Sequence, residues 1–183
     1  MQHPHPKLQS FPPVARPDAE ILILGSLPGA ESLRRQQYYA HPRNAFWPIL
    51  GQLLGFSISL PYEERLDILR QHRIALWDVV REGHRPGSLD SDIRGESAND
   101  FPEFLRQHPR IHRICFNGAT AERLFRKLAL PQLSPTSRVA FFRLPSTSPA
   151  HASLKLEEKL AAWRTALARE RALGTDGTSG TAR

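Results

Sequence analysis

Short apolar runs alternate along the chain with longer segments in which apolar residues recur at helical spacing. Four runs have the length and composition of strands buried on both faces of a parallel sheet: 21–24, 74–77, 114–116 and 139–142. Five segments place apolar residues on one face of a helix: 45–54, 62–72, 100–108, 119–129 and 153–171. Strands that alternate with helices predict an α/β domain built on a four-stranded, mostly parallel sheet.

Both ends of the chain lack this pattern. Residues 1–18 contain five prolines and predict an extended leader, because proline restricts the backbone and cannot donate a hydrogen bond. Residues 174–183 are small and polar, which is typical of a disordered tail. We therefore expect one folded domain within residues 19–173 of the 183-residue chain.

The cysteine content excludes several kinds of site. Cys115 is the only cysteine, so the chain holds neither a disulfide framework nor a four-cysteine zinc or iron–sulfur site. Cys115 lies in an apolar run, and we interpret it as unreactive packing. No histidine or acidic pattern has metal-ligand spacing, so we predict neither a metal nor another cofactor.

The apolar runs are too short for a membrane helix, which needs roughly 18 residues, and the chain does not start with an apolar signal core. These absences predict a cytoplasmic protein that does not bind a membrane. No long apolar surface pattern remains beyond the predicted core, so we expect a monomer.

The charge of the chain is strongly positive and comes mainly from arginine. The net charge is +7, and only four of the 25 basic residues are lysines. The guanidinium group of arginine binds two phosphate oxygens at once, which suits a phosphate-rich partner. GC-rich codon usage explains an arginine excess equally well. The two terminal segments contribute little of this charge. A basic folded body favours a polyanionic partner such as a nucleic acid.

Four segments rich in glycine, proline, serine and asparagine lie at or near the predicted strand ends. They are 25–29 (GSLPG), 41–47 (HPRNAFW), 117–118 (NG) and 144–151 (LPSTSPAH). Ligands of parallel α/β sheets bind beyond the carboxyl ends of the strands, so these segments are candidates for a binding site. The same residue types also form ordinary loops, and each segment therefore has a structural alternative.

The first two segments offer backbone amides, a side-chain amide and aromatic rings. The backbone around Gly25 and Ser26 can face an anion or a base edge, or it can form a tight turn. The segment is not a Walker phosphate loop, because it lacks the Gly-Lys-Ser/Thr ending. Asn44 can hold a water molecule through its carbonyl oxygen, or it can cap a helix. Phe46 can stack on a planar ring, or it can anchor the core beside Trp47.

The last two segments offer an amide, hydroxyls and a histidine. Asn117 can both donate to and accept from a base edge, or it can form a turn before Gly118. The loop 144–151 suits either phosphate contact or the start of a helix. Its polar side chains are Ser146, Thr147, Ser148 and His151.

In this order the segments resemble motifs of the uracil-DNA glycosylase superfamily, over about residues 20–165. The nearest resemblance is to its hypoxanthine-DNA glycosylase branch, also called family 6 or DNA-deoxyinosine glycosylase. Four ordered stretches carry this resemblance: 25–29 (GSLPG), 38–47 (YYAHPRNAFW), 87–93 (GSLDSDI) and 146–150 (STSPA). The resemblance implies a three-layer α/β/α fold around the sheet, and a partner that is DNA containing damaged bases.

The resemblance also implies roles for individual residues. Asn44 is expected to position the water that attacks C1′ of a flipped deoxyinosine, while Phe46 stacks on the base and Asn117 binds its edge. The candidates for contact with a phosphate or the leaving base are Ser146, Ser148 and His151. The remaining candidates for substrate binding are Gly25, Ser26 and Thr147.

Two features narrow the expected chemistry. Ser26 stands where the superfamily usually has a catalytic Asp or Asn after the first glycine, which argues against ordinary uracil excision. No lysine lies in the four segments, and strand cleavage through a Schiff base needs an amine nucleophile. We therefore predict base removal without strand cleavage.

Three other functions stay open at the level of the sequence. The chain could excise uracil from mismatches or single strands, bind DNA without catalysis, or hydrolyse free nucleosides. The basic body favours a polymer over a free nucleoside, because a nucleoside has no phosphate. The roles of Asp78, Ser88 and Asp90, which lie near predicted loops, are not decided by the sequence.

Overall fold

The computed structural model describes residues 7–84, 93–134 and 139–168. The strands in chain order are β1 (Lys7–Gln9), β2 (Ile21–Gly25), β3 (Ile74–Asp78), β4 (Val80–His84), β5 (Arg94–Ala98), β6 (Arg113–Asn117) and β7 (Ala140–Leu144). The helices are α1 (Ala30–Arg35), α2 (Phe46–Leu54), α3 (Tyr62–Gln71), α4 (Phe101–Gln107), α5 (Ala119–Leu128) and α6 (Leu156–Leu167). The expected tail 174–183 and residues 87–92 of the stretch GSLDSDI lie outside the described residues.

Four strands form a parallel sheet in the order β3-β2-β6-β7. Every residue of β2, β3 and β6 is buried, which explains why their sequences are nearly continuous apolar runs. Along β2, Ile21 and Ile23 belong to one core while Leu22 and Leu24 belong to the other, because side chains alternate along a strand. The predicted parallel sheet is confirmed.

Helices cover both faces of this sheet. Helices α2, α3 and α6 pack in the core that contains Ile23, where Trp163 of α6 is fully buried. Helices α4 and α5 pack in the core that contains Leu24. The result is a three-layer α/β/α sandwich, which confirms the predicted fold class. Because the four strands are parallel, their carboxyl ends lie along one edge of the sheet.

The strand predicted near residue 140 is less buried than its apolar sequence indicates. Among the described strands β7 pairs only with β6, at the edge of the sheet. Leu144 is its one fully buried residue, and Phe142 is 37% exposed, with the Arg113 guanidinium 5.2 Å from its ring centroid. An apolar run by itself does not distinguish a central strand from an edge strand.

A second, three-stranded antiparallel sheet has the order β1-β4-β5 and is not predicted by the sequence pattern. Its strands, KLQ, VREGH and RGESA, are mostly polar, so they lack the apolar signal that marks a strand. Helix α1 (AESLRR) is also absent from the predictions, because its six residues are too few to show a helical period.

The leader takes part in the fold from Lys7 onwards. Strand β1 pairs with β4, and Val14 is 6% exposed. Val14 and Leu76 of β3 exchange two backbone hydrogen bonds of 2.8 Å. The folded part therefore begins before residue 19, because backbone hydrogen bonds hold the leader and leave no trace in an apolar pattern.

Helix α6 begins at Leu156, later than the predicted start at residue 153. The Glu158 carboxylate accepts a hydrogen bond from the Lys155 backbone amide at 2.8 Å, and Lys155 is the N-cap. In the described ranges, no helix is both long enough and apolar enough to cross a membrane.

Cys115 lies in the middle of β6 and is fully buried. Burial raises the pKa of its thiol to about 12, so the reactive thiolate is scarce near neutral pH. We expect the native protein to resist iodoacetamide, whereas protein unfolded in guanidinium chloride is alkylated completely. Intact-mass spectrometry over time measures both rates. Alkylation of the native protein as fast as of the unfolded protein would contradict the packing role.

Candidate active site

A cavity of about 480 Å³ opens at the carboxyl edge of the parallel sheet. Its wall includes Gly25, Asp78 and Asn117, the last residues of β2, β3 and β6. The loop after β2, residues from the segment 38–44 and the loop after β7 complete it. This volume lies in the range of sites for small ligands, and its position is the one that parallel sheets favour.

The four predicted segments meet at this cavity, and backbone hydrogen bonds connect three of them. The amide of Ala45 donates to the carbonyl of Thr147, and the amide of Gly118 donates to the carbonyl of Leu144, both at 3.0 Å. These bonds join parts of the chain that are far apart in sequence. Contacts between backbone groups therefore set the spacing of the side chains around the cavity.

The first segment crosses over the end of β3. The carbonyls of Gly25 and Ser26 accept hydrogen bonds from the amides of Val79 and Val80, at 2.8 Å and 3.0 Å. Both Gly25 and Ser26 also line the cavity. The segment is thus held against the residues that follow β3 and forms part of the cavity wall.

Asn44 lines the cavity and also prepares the start of α2. Its Oδ1 accepts a hydrogen bond from the backbone amide of Phe46 at 3.0 Å, and its backbone amide donates to the His41 carbonyl at 2.9 Å. A side-chain carbonyl has two lone pairs, so Oδ1 can accept this bond and still hold a water molecule. The N-cap of α2 is Ala45 and not Asn44, but the Asn44 side chain accepts a hydrogen bond from the first helical residue while it lines the cavity.

Asn117 and Thr147 form a reciprocal pair. The Nδ2 of Asn117 donates to Thr147 Oγ1 at 2.8 Å, and the Thr147 amide donates to Asn117 Oδ1 at 2.9 Å. Both residues line the cavity, with Asn117 8% and Thr147 1% exposed. The pair fixes which way the Asn117 amide points, and it leaves one N–H and one lone pair for a ligand.

Tyr39, rather than Phe46, presents an aromatic ring to the cavity. Phe46 is fully buried, with the rings of Trp47 and Trp163 edge-on to it. Tyr39 stacks on Phe46, with 3.9 Å between the ring centroids and 21° between the planes. The expectation that Phe46 stacks directly on a ligand is therefore wrong, because Tyr39 covers it; Phe46 supports Tyr39 from behind.

The sequence contained a signal for Tyr39. It belongs to the stretch 38–47, but Phe46, which lies closer to Asn44 in the chain, was the aromatic residue expected to stack on a ligand. Tyr39 also has a φ of 54°, in the left-handed region that residues with a Cβ rarely adopt. Such backbone strain persists where surrounding contacts enforce it, and it clusters at functional sites.

His151 was a candidate for contact with a phosphate or the leaving base; it is exposed and does not line the cavity, which argues against the second of these contacts. Its backbone carbonyl accepts a hydrogen bond from Nζ of Lys159 at 2.8 Å, which holds the loop against α6. His41 and Arg43, from the second segment, line the cavity in its place. His151 lies outside the cavity because the end of the loop turns away from it. No local sequence pattern predicts the direction of that turn.

The two serines of the last segment do line the cavity. Ser146 Oγ accepts a hydrogen bond from the Ser148 amide at 3.2 Å, and Ser148 Oγ accepts one from the Ala150 amide at 3.3 Å. Each hydroxyl keeps its own hydrogen atom for donation, which suits an anionic ligand.

Asp78 is one of the residues that the sequence left undecided, and the structure places it on the cavity wall. It is 3% exposed, and its backbone carbonyl accepts a hydrogen bond from Asn99 Nδ2 at 2.8 Å. The other two undecided residues, Ser88 and Asp90, lie outside the described residues. Across the part of the chain that the structure describes, no three His, Cys, Asp or Glu residues group as a metal site.

Phe11 is a cavity residue that sequence reasoning missed. Its carbonyl accepts a hydrogen bond from Trp77 Nε1 at 3.1 Å, and the Tyr38 hydroxyl donates to the Pro12 carbonyl at 3.1 Å. The rings of Phe11 and Tyr38 meet edge to face, 5.2 Å apart. The leader has no periodic pattern, so nothing in the sequence pointed to its place beside the cavity.

Similarity to known proteins extends over most of this architecture. The hypoxanthine DNA glycosylase of Methanosarcina acetivorans is 46% identical over 114 residues, which are 62% of this chain and 72% of that protein. The hypoxanthine DNA glycosylase of Methanosarcina barkeri is 45% identical over 113 residues, which are 61% and 72% of the two chains.

A solved structure is similar over a larger part of the chain. The solution NMR structure of a candidate uracil DNA glycosylase from Methanosarcina acetivorans superposes with a TM-score of 0.70 and 38% identity. The match covers 87% of this chain and 98% of that one. The model of the uracil DNA glycosylase superfamily matches residues 12–168, which include every residue of the cavity wall except Phe11. With its parallel sheet, its ordered segments and their meeting at one sheet edge, the chain belongs to the uracil DNA glycosylase superfamily.

Proposed function

We propose that this protein is a DNA glycosylase that removes hypoxanthine from deoxyinosine and leaves an abasic site. The observation that carries the proposal is the meeting of Asn44, Asn117 and the loop 146–150 around one cavity, in a chain 46% identical to a hypoxanthine DNA glycosylase. A base must leave the stack to enter such a cavity, which costs a few kcal/mol. The cost is lower where pairing is weak, as for deoxyinosine opposite thymine.

In this mechanism Asn44 positions the attacking water through Oδ1. The water oxygen bonds to C1′ as the bond from C1′ to N9 breaks, and the base takes the bonding electrons. One water proton neutralises the departing base, and the sugar keeps the hydroxyl. The transition state is oxocarbenium-like, as in the cleavage of other glycosides. An uncharged amide activates water weakly, so stabilising the departing base supplies much of the rate.

Tyr39 and Asn117 hold the base in this proposal. The Tyr39 ring lies on the cavity wall and is backed by Phe46, so it serves as the stacking platform. Asn117 offers to the base edge the N–H and the lone pair that its contacts with Thr147 leave.

Thr147 acts as a positioning residue, since it holds Asn117 directly and the segment of Asn44 through Ala45. Thr147→Val keeps the side-chain volume but leaves Asn117 Nδ2 without its acceptor, so we expect the single-turnover excision rate to fall about 10-fold. Thr147→Ser keeps the hydroxyl and is expected to restore most of the rate at unchanged melting temperature. An equal loss in both variants would show that the hydroxyl does not matter.

Contact with DNA phosphates is assigned to the mouth of the cavity. Arg43 and the hydroxyls of Ser146 and Ser148 line it and suit the oxygens of the flanking phosphates. His151 is exposed on the same loop and does not line the cavity, so we assign it contact with a phosphate and not with the base. The net charge of +7 supports a polyanionic substrate over a free nucleoside.

The positions of the lysines support base removal without strand cleavage. A bifunctional glycosylase needs an amine nucleophile at the sugar, and none of the four lysines lines the cavity. Nζ of Lys159 donates a hydrogen bond to the carbonyl of His151, which itself does not line the cavity. We also propose that the reaction needs no metal or cofactor and that the protein acts as a monomer.

The test is an excision assay with labelled oligonucleotides that carry one deoxyinosine or one deoxyuridine, followed by alkali to cleave abasic sites. We expect cleavage at deoxyinosine that depends on alkali, and binding that weakens steeply with salt. Cleavage at deoxyuridine alone would make the protein a uracil-DNA glycosylase despite Ser26. Tight, salt-sensitive binding without cleavage would leave a DNA-binding relative, and turnover of free inosine alone would identify a nucleoside hydrolase.

A further inference from the structure

Asp78 is a buried carboxylate on the cavity wall that the mechanism above does not use. It ends β3, opposite Gly25 at the end of the neighbouring strand β2, and only 3% of its surface is exposed. A carboxylate taken out of water must be compensated by hydrogen-bond donors. A ligand in the cavity can be one source of such a donor.

Gly25 gives this carboxylate room. A Cβ atom at Gly25 would lie 2.5 Å from Asp78 Oδ1 and 2.8 Å from the Tyr39 hydroxyl oxygen, distances that real Cβ atoms essentially never show. The carboxylate and the hydroxyl therefore converge on the same point above Gly25. This convergence places the carboxylate near the hydroxyl end of the tyrosine ring.

The Tyr39 ring relates this carboxylate to a bound base. Phe46 covers one face of the ring at 3.9 Å, and Tyr39 also forms part of the cavity wall. A planar base that stacks on the cavity side of this ring lies parallel to it. The Asp78 carboxylate lies near the hydroxyl end of this ring, so the edge of the base above that end is the one it could contact.

We propose that Asp78 selects the base, with its carboxylate accepting a hydrogen bond from N1–H of hypoxanthine. This inference rests on the proposed function and names the group that chooses its substrate. A carboxylate has about four acceptor positions, so Asp78 can accept a hydrogen bond from the base in addition to its contacts with protein neighbours. Enzymes that flip a base read it through hydrogen bonds to its Watson–Crick edge, which includes N1.

The chemistry explains how this contact would separate hypoxanthine from the adenine from which it forms. Adenine carries a lone pair at N1, and its deamination to hypoxanthine replaces that lone pair with N–H. Adenine in the same position would set its N1 lone pair against the carboxylate, which is repulsive. Asp78 therefore reads an atom that the deamination changes.

The test compares two substrates that differ at this atom. Deoxyinosine carries N1–H, whereas deoxynebularine, the deoxynucleoside of unsubstituted purine, carries a lone pair at N1. Asp78→Asn keeps the size of the side chain, replaces the charged acceptor with a weaker neutral one and adds a donor that suits the lone pair. We expect single-turnover excision of hypoxanthine to fall about 10-fold, while excision of purine stays unchanged or rises, so that the ratio of the two rates changes.

The ratio of the two rates separates base selection from a structural role. A loss of structure would lower both rates by the same factor, and that outcome overturns the inference. Melting temperature checks the fold, and Asp78→Ser repeats the comparison should the asparagine variant not fold. Wild-type protein that excises hypoxanthine, together with an unchanged ratio in both variants, would refute the role of Asp78 alone. Wild-type protein that excises neither base would refute the proposed function itself.

Discussion

Asn44→Ala is expected to lower the single-turnover rate of hypoxanthine excision by about 100-fold or more. Asn44 lines the cavity, and its Oδ1 is the group to which we assign the attacking water. Without that carbonyl the water is no longer held against C1′, and displacements of about 1 Å cost a rate factor of this size. Excision of a labelled deoxyinosine oligonucleotide, with alkali to reveal abasic sites, measures the effect.

Asn44→Ser is the matched control for this variant. A serine hydroxyl can accept the hydrogen bond that the Phe46 amide donates to Asn44 Oδ1 at 3.0 Å, so the start of α2 is preserved. Alanine cannot accept it, and we expect the free energy of unfolding to fall by about 1 kcal/mol. Both variants should lose activity, whereas only the alanine variant should lose stability. A serine variant with wild-type activity would show that Asn44 only supports the start of α2 and does not position the water.

Gly118→Ala is expected to have the largest effect on stability among the substitutions considered. Gly118 has φ 97° and ψ 165°, a conformation that is essentially restricted to glycine. An added Cβ would also lie 3.0 Å from Cβ of Ser146, in the loop that lines the cavity. We expect the free energy of unfolding to fall by about 1–3 kcal/mol and the melting temperature by several degrees. Activity should fall as well, because the Ser146 loop is displaced.

Gly29→Ala provides the comparison for Gly118→Ala. Gly29 lies on the cavity wall with φ −74°, which any residue adopts, and a Cβ there would meet nothing within 4 Å. We expect its unfolding free energy to stay within about 1 kcal/mol of wild type. Thermal unfolding of the two variants side by side tests the pair. Equal melting temperatures would mean that the backbone at Gly118 tolerates a side chain.

The main sheet and the place of the cavity could be predicted from the sequence because they depend on local patterns. Strands buried on both faces need continuous apolar residues, and 21–24, 74–77 and 114–116 have them. Loops at strand ends need glycine, proline and small polar residues, and these mark the four segments that meet at the cavity. The polar antiparallel sheet carries no such pattern and was not predictable in this way.

The sequence by itself determined the parallel α/β sheet and the sheet edge at which the cavity lies, while its resemblance to the superfamily implied the three layers and the candidate role of Asn44. Only the tertiary structure decided that Tyr39 covers Phe46, that His151 turns away from the cavity, and that Asp78 and the leader's Phe11 join its wall. The physical reason is the range of the interactions. Hydrophobic periodicity and turn chemistry act between neighbours in the chain, whereas a cavity wall is made by side chains that only long-range packing brings together.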